Sequence, residues 1–80
     1  DVVAGDVLLD TAMAMAQSLA TQATRGFGLT KRAMHASFAN TLDAQLDVEA
    51  DAMSEAGRTA DYAEGVRAFL EKRKPVYTGT

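Results

Sequence analysis

The chain has no cysteine and no tryptophan, and its 80 residues include one histidine and one proline. Without cysteine there is neither a disulfide framework nor a thiolate metal site, a usage that fits a reducing, cytoplasmic compartment. His35 has no second histidine with which to share a metal. No apolar run reaches the roughly 18 residues of a membrane-crossing helix. The acidic N-terminus lacks the basic start of a secretory signal, so no membrane partner is expected. The first residue is Asp1 rather than methionine, which suggests a processed or partial chain. A domain this short buries only about 60% of the surface its unfolded chain exposes, so its stability is expected to be marginal.

What is present is charge in blocks. Residues 1–24 carry −3, residues 25–40 carry +3, residues 41–57 carry −5 and residues 58–80 carry +2, for a net charge of −3. An acidic balance without a basic stripe argues against a nucleic-acid partner. The basic end is still suited to one small anion.

The periodicity predicts an all-α chain of about four helices. Val7 to Leu19 or Ala20 is rich in strong helix formers, with Asp6 as N-cap and a broad apolar arc through Leu8, Ala12, Met15 and Leu19. Thr21 to Gly28 reads as a break, with Gly26 and Gly28 forming a tight turn around Phe27. A second helix is expected from Leu29 or Thr30 to Ala39, with Thr30, Met34 and Phe38 in one row beside Ala33 and Ser37. Asn40-Thr41 caps a third helix, Leu42 to about Glu55, with an apolar stripe of Leu42, Leu46, Ala50 and Met53. Ala56-Gly57 then stops it. A fourth helix opens with Asp61 and Glu64 as a capping pair, Thr59 being a rival cap. It carries Tyr62, Val66, Phe69, Leu70 and Arg73 on one face. Lys72, Arg73 and Lys74 complement the helix dipole, and Pro75 ends the helix no later than about Lys74.

Candidate chemistry is sparse. Asp43, Asp47 and Asp51 cannot surround one ion, because successive helical turns spread them along about 12 Å of axis. A solvated face is the better reading. His35 and Ser37 point to different sides of a helix, so they form no dyad. Gly26-Phe27-Gly28 follows no strand and has no phosphate-loop lysine in register. On its residues alone the chain carries no catalytic site and no metal site.

Asp61 to Gly79 reads D-Y-A-E-G-V-R-A-F-L-E-K-R-K-P-V-Y-T-G. The order D-x-x-E-G-x-x-A-F-x-x-K-R-x-P-x-Y-x-G resembles the C-terminal helix of the crotonase family, the enoyl-CoA hydratases and isomerases. L-A-T-Q-A-T-R-G-F-G-L-T-K-R-A from Leu19 and N-T-L-D-A-Q-L-D-V-E-A-D from Asn40 resemble preceding segments of the same family. The resemblance implies that residues 1–80 are the C-terminal helical segment of an α/β crotonase fold, used for trimer packing and as a lid on the coenzyme A pocket. It implies a parent enzyme acting on acyl-CoA through a thioester enolate, by isomerisation of a ring epoxide or by hydration of a 2-enoyl thioester. The oxyanion hole and catalytic acids would lie outside this chain. Coenzyme A would enter as part of the substrate, with no permanently bound cofactor, and the assembly would be a homotrimer or hexamer.

The resemblance also places Phe69 and Lys72 at positions that contact the adenosine end of coenzyme A. An aromatic ring can pack the adenine, and an ammonium can pair with the 3′-phosphate. Met53 falls where some relatives place an aromatic residue, and its sulfur suits adenine as well. Each has a plainer reading: Phe69 as a core anchor, Met53 as a core residue of the Leu42 stripe, and Lys72 as a surface cation at a helix end. The other reading of the whole chain is a free-standing helical interaction module.

Overall fold

Two threonines set the sharpest helix starts. Thr41 Oγ1 accepts the Ala44 amide at 3.3 Å and Thr59 Oγ1 accepts the Tyr62 amide at 3.0 Å, each satisfying an amide that the first turn leaves unpaired. The computed structural model describes all 80 residues. A 3-10 turn, Gly5–Val7, leads into α1 (Leu8–Ala20), followed by α2 (Thr24–Ser37), α3 (Leu42–Gly57) and α4 (Ala60–Leu70). The tail from Glu71 to Thr80 has no regular structure, and the chain is all-α without a strand.

Asp6 does not cap α1. The Val7 amide bonds to the Ala4 carbonyl at 3.2 Å, which draws Asp6 into the 3-10 turn and leaves Val7 at the cap position without a side-chain bond. Gly26 and Gly28 form no turn either. Both lie inside α2, which begins at Thr24. Neither has a positive φ, so their conformational freedom is not used. Leu29 is 5% exposed, and its burial draws the preceding turn into the helix against glycine's low propensity.

The face that α2 turns to α3 also differs from the expected one. Thr30, Met34 and Phe38 point outward, while Gly26, Leu29, Ala33 and Ala36 are buried or half-buried. On α3 the inward row is Gln45, Val48, Ala52, Glu55 and Ala56, whereas Leu42, Leu46 and Met53 stay exposed. Small residues meet along this seam, and polar groups fasten its two ends. Gln45 Nε2 donates to the Ala33 carbonyl at 3.0 Å, and Glu55 accepts Arg25 at 2.9 Å and Arg32 at 3.1 Å. The Arg25 hydrogen bond is the main reason the Glu55 carboxyl titrates below its usual range.

Beyond this seam little is enclosed. Leu29, Ala68 and Asp61 are the buried residues, and the chain measures 46 × 39 × 18 Å. Its radius of gyration is 16.1 Å, against about 12 Å for a compact domain of this length. Its 6459 Å² of accessible surface exceeds the roughly 4,700 Å² expected from its mass. The main packing of α1 is on the 3-10 turn before it, so Leu8, Leu9, Met13, Met15 and Leu19 remain exposed.

Because Gly28 occupies ordinary helix, and a methyl group added there would meet nothing within 4 Å, Gly28→Ala should stabilise α2 by about 0.5–1 kcal/mol. Circular dichroism melts read this directly. A loss of stability would restore a turn at Gly26-Phe27-Gly28.

Candidate functional site

The end of α4 is closed by hydrogen bonds that reverse the chain. The Lys72 amide donates to the Phe69 carbonyl at 3.2 Å and the Arg73 amide to the Ala68 carbonyl at 3.0 Å. This pairing belongs to a helix ending through a left-handed residue, and Lys72 is that residue, with φ 54°. The helix therefore stops at Leu70 rather than continuing toward Pro75, and Lys72 lies beyond it. No glycine marks the place, so the sequence carries no ordinary signal of a stop there.

The ionic contacts of the next residue accompany this ending. Arg73 Nη1 and Nη2 donate to Glu64 Oε1 and Oε2 at 2.6 and 3.0 Å, and Arg73 Nε donates to Glu71 Oε2 at 2.6 Å. Glu64 Oε1 also accepts the Val76 amide at 2.9 Å. The Arg73 hydrogen bond, then that of Val76, holds the Glu64 carboxyl down at about 2. The same contacts keep Arg73 more firmly protonated.

Past Pro75 the tail runs back along α4 toward its start. Tyr77 lies over Gly65, where an added Cβ would come within 3.3 Å of the phenolic oxygen. The Thr78 and Gly79 amides donate to Asp61 Oδ1 and Oδ2 at 2.7 and 2.8 Å, and the Asp61 amide donates to the Thr80 carbonyl at 2.9 Å. Gly79 has φ 78°, and a Cβ there would sit 2.8 Å from Thr24 Oγ1 at the start of α2. Asp61 is thus 3% exposed with both oxygens occupied. The expected Asp61–Glu64 capping pair is corrected accordingly: Thr59 caps α4, and the two carboxylates grip the tail. The D-x-x-E-G and P-x-Y-x-G halves of the motif are two sides of one fastening.

Phe69 and Met53 are 82% and 72% exposed, so neither is a core residue here. Phe69 lines an apolar groove of about 450 Å³ with Tyr62, Val66, Leu70, Gly26 and Ala56. Met53 lines a second groove of about 410 Å³ with Met34, Leu29 and Gln45. Gly26 and Ala56 border both grooves, so the two adjoin. Lys72 lines neither groove, is exposed, and takes no part in the four ion-pair contacts, which join Arg25 and Arg32 to Glu55, and Arg73 to Glu64 and Glu71. The structure therefore does not gather Phe69, Lys72 and Met53 into one pocket. Asp43, Asp47 and Asp51 are exposed, as is His35.

The sequence profile described as Enoyl-CoA hydratase/isomerase matches residues 1–80. The chain belongs to the enoyl-CoA hydratase/isomerase family. It is 55% identical over 78 residues to the 1,2-epoxyphenylacetyl-CoA isomerase of Escherichia coli, a match covering 98% of this chain and 30% of that protein. It is 48% identical over 66 residues to a Rhodobacter capsulatus protein named "Probable enoyl-CoA hydratase", covering 82% of this chain and 26% of the relative. A Danio rerio relative, enoyl-CoA hydratase domain-containing protein 3, mitochondrial, is 34% identical over 73 residues, covering 91% of this chain and 25% of its own length. The chain thus spans under a third of each of these relatives.

The Glu64 contact carries a pH signature. Its folded pKa, about 2, is depressed from 4.5. Its contribution is therefore complete above the ordinary carboxylate range and is lost as pH falls through 4.5 toward 2. The Val76 amide resonance should titrate with a midpoint near 2. A midpoint at the ordinary carboxylate value would mean that Arg73 and Val76 do not hold Glu64 as described.

Proposed function

We propose that this chain is the C-terminal helical segment of an acyl-CoA isomerase that works through a thioester enolate and acts on 1,2-epoxyphenylacetyl-CoA. The observation that carries this reading is the 55% identity to the Escherichia coli isomerase across 98% of the chain. Residues 1–80 serve as lid and trimerisation segment, and the groups that perform the chemistry belong to the remainder of the parent enzyme. The segment alone is inactive. Coenzyme A arrives as part of the substrate. The enzyme is a homo-oligomer, trimeric or hexameric, in the cytoplasm; no helix is long and apolar enough to cross a membrane.

Within this reading Lys72 pairs with the 3′-phosphate of coenzyme A, Phe69 packs the adenine, and Met53 adds contact from the adjoining groove. Support comes from the exposure of the two apolar side chains and from an ammonium without an ion-pair partner. A lysine in the left-handed region is a conformational cost of about 1 kcal/mol, of the kind that concentrates at ligand contacts.

The second reading is an enoyl-CoA hydratase, favoured by the name of the Rhodobacter capsulatus relative. Assays of the full-length enzyme with 1,2-epoxyphenylacetyl-CoA and with a 2-enoyl-CoA separate the two. Isomerisation of the epoxide is expected, and turnover of the enoyl thioester alone would transfer the assignment to hydratase. In the same assays Lys72→Ala and Phe69→Ala should each raise KM about tenfold with kcat little changed, as for lost uniform binding. Unchanged KM values would remove both residues from the nucleotide contact.

An independent interaction module would need a core of its own, and the large exposed apolar surface speaks against one. Sedimentation of the 80-residue chain should show self-association. A monomer with a sharp melting transition would favour the module.

A further inference from the structure

We propose that Glu64 is a positioning residue for the Lys72 ammonium, acting through Arg73 without touching the nucleotide. The proposal rests on the reading of Lys72 as the 3′-phosphate contact and adds to it the device that fixes the backbone from which the side chain extends.

Lys72 occupies a backbone conformation, φ 54°, that a glycine would fill more readily. A non-glycine residue stays there only when its surroundings over-determine it. The residues that do so are adjacent. Arg73 has its backbone tied to the Ala68 carbonyl at 3.0 Å. Its guanidinium is spread over Glu64 Oε1, Glu64 Oε2, Glu71 Oε2 and the Lys74 carbonyl. A fork with this many contacts has one orientation, and the backbone that bears it is fixed with it. Glu64 also takes the Val76 amide at 2.9 Å. One carboxylate therefore holds the tail at residues 73 and 76 while standing on α4.

Without Glu64 the turn loosens, and the ammonium is no longer presented from one backbone geometry. Glu64 therefore acts on selectivity for the 3′-phosphate more than on total affinity.

The test is the ratio of dissociation constants for 3′-dephospho-coenzyme A and coenzyme A, measured by calorimetry on the full-length enzyme. The wild type should prefer coenzyme A by about tenfold or more, and Lys72→Ala should bring the ratio near one. Glu64→Ala should lower the ratio most of the way to that of Lys72→Ala while affinity for the dephosphorylated ligand stays within about twofold. Arg73→Lys retains the charge but cannot make the forked contact; it should behave in the same way and gives the answer if Glu64→Ala does not fold. If the wild type shows no preference, or Lys72→Ala keeps it, the reading of Lys72 fails and takes this proposal with it. If Lys72→Ala abolishes the preference while Glu64→Ala and Arg73→Lys retain it, the positioning role alone is overturned. Equal weakening of both ligands by Glu64→Ala would overturn that role as well.

Discussion

The grip of two carboxylates on a returning tail organises the C-terminal part of this chain. Asp61 and Glu64 stand nearly one turn apart on α4, and each takes backbone amides from the tail: Thr78 and Gly79 for Asp61, Val76 for Glu64. Hydrogen bonds from backbone amides to an ionised carboxylate are among the stronger ones available to a protein. They let ten irregular residues lie against a helix without a strand partner. Gly65 leaves room for Tyr77, and Gly79 lets the strap turn at Thr24. The small residues and the acids of the motif therefore serve one purpose.

That arrangement explains which parts of the fold could be read from the sequence. The all-α class, the number of helices and the start of α3 at Thr41 follow from periodicity and from cap chemistry, which are local properties. The end of α4 did not follow. It comes with Arg73 reaching Glu64 nine positions away, a contact that neither hydrophobic periodicity nor cap chemistry encodes. The same holds for Asp61, which looks like a cap residue in one dimension and is a tail anchor in three. At Gly26 and Gly28 the composition suggested a turn, but the burial of Leu29 decided in favour of helix.

The candidate site divides in the same way. Resemblance to known enzymes singled out Phe69, Lys72 and Met53, and periodicity alone would have assigned the two apolar residues to a core. The exposure of Met53 follows from the inward faces of α2 and α3, where Gly26, Leu29, Ala33, Ala36, Val48 and Ala52 do the apolar packing. The larger apolar side chains, Met34, Phe38, Leu42, Leu46 and Met53, turn the other way. Hydrophobic periodicity marks positions that seek cover, and within these 80 residues the cover is not supplied.

The seam between α2 and α3 places a limit on evolutionary drift. Where two helices meet over alanine, a bulkier side chain has to find room against the facing helix, and overpacking typically costs about 1–3 kcal/mol. Ala33, Ala36 and Ala52 sit half-buried on that seam, between the contacts that Glu55 and Gln45 make at either end, so a much larger side chain at any of them meets the facing helix. Variation in this region is therefore channelled to the outward rows, where volume is not constrained from within. Diverging family members can retune those rows toward new neighbours without altering the spacing of the helices beneath.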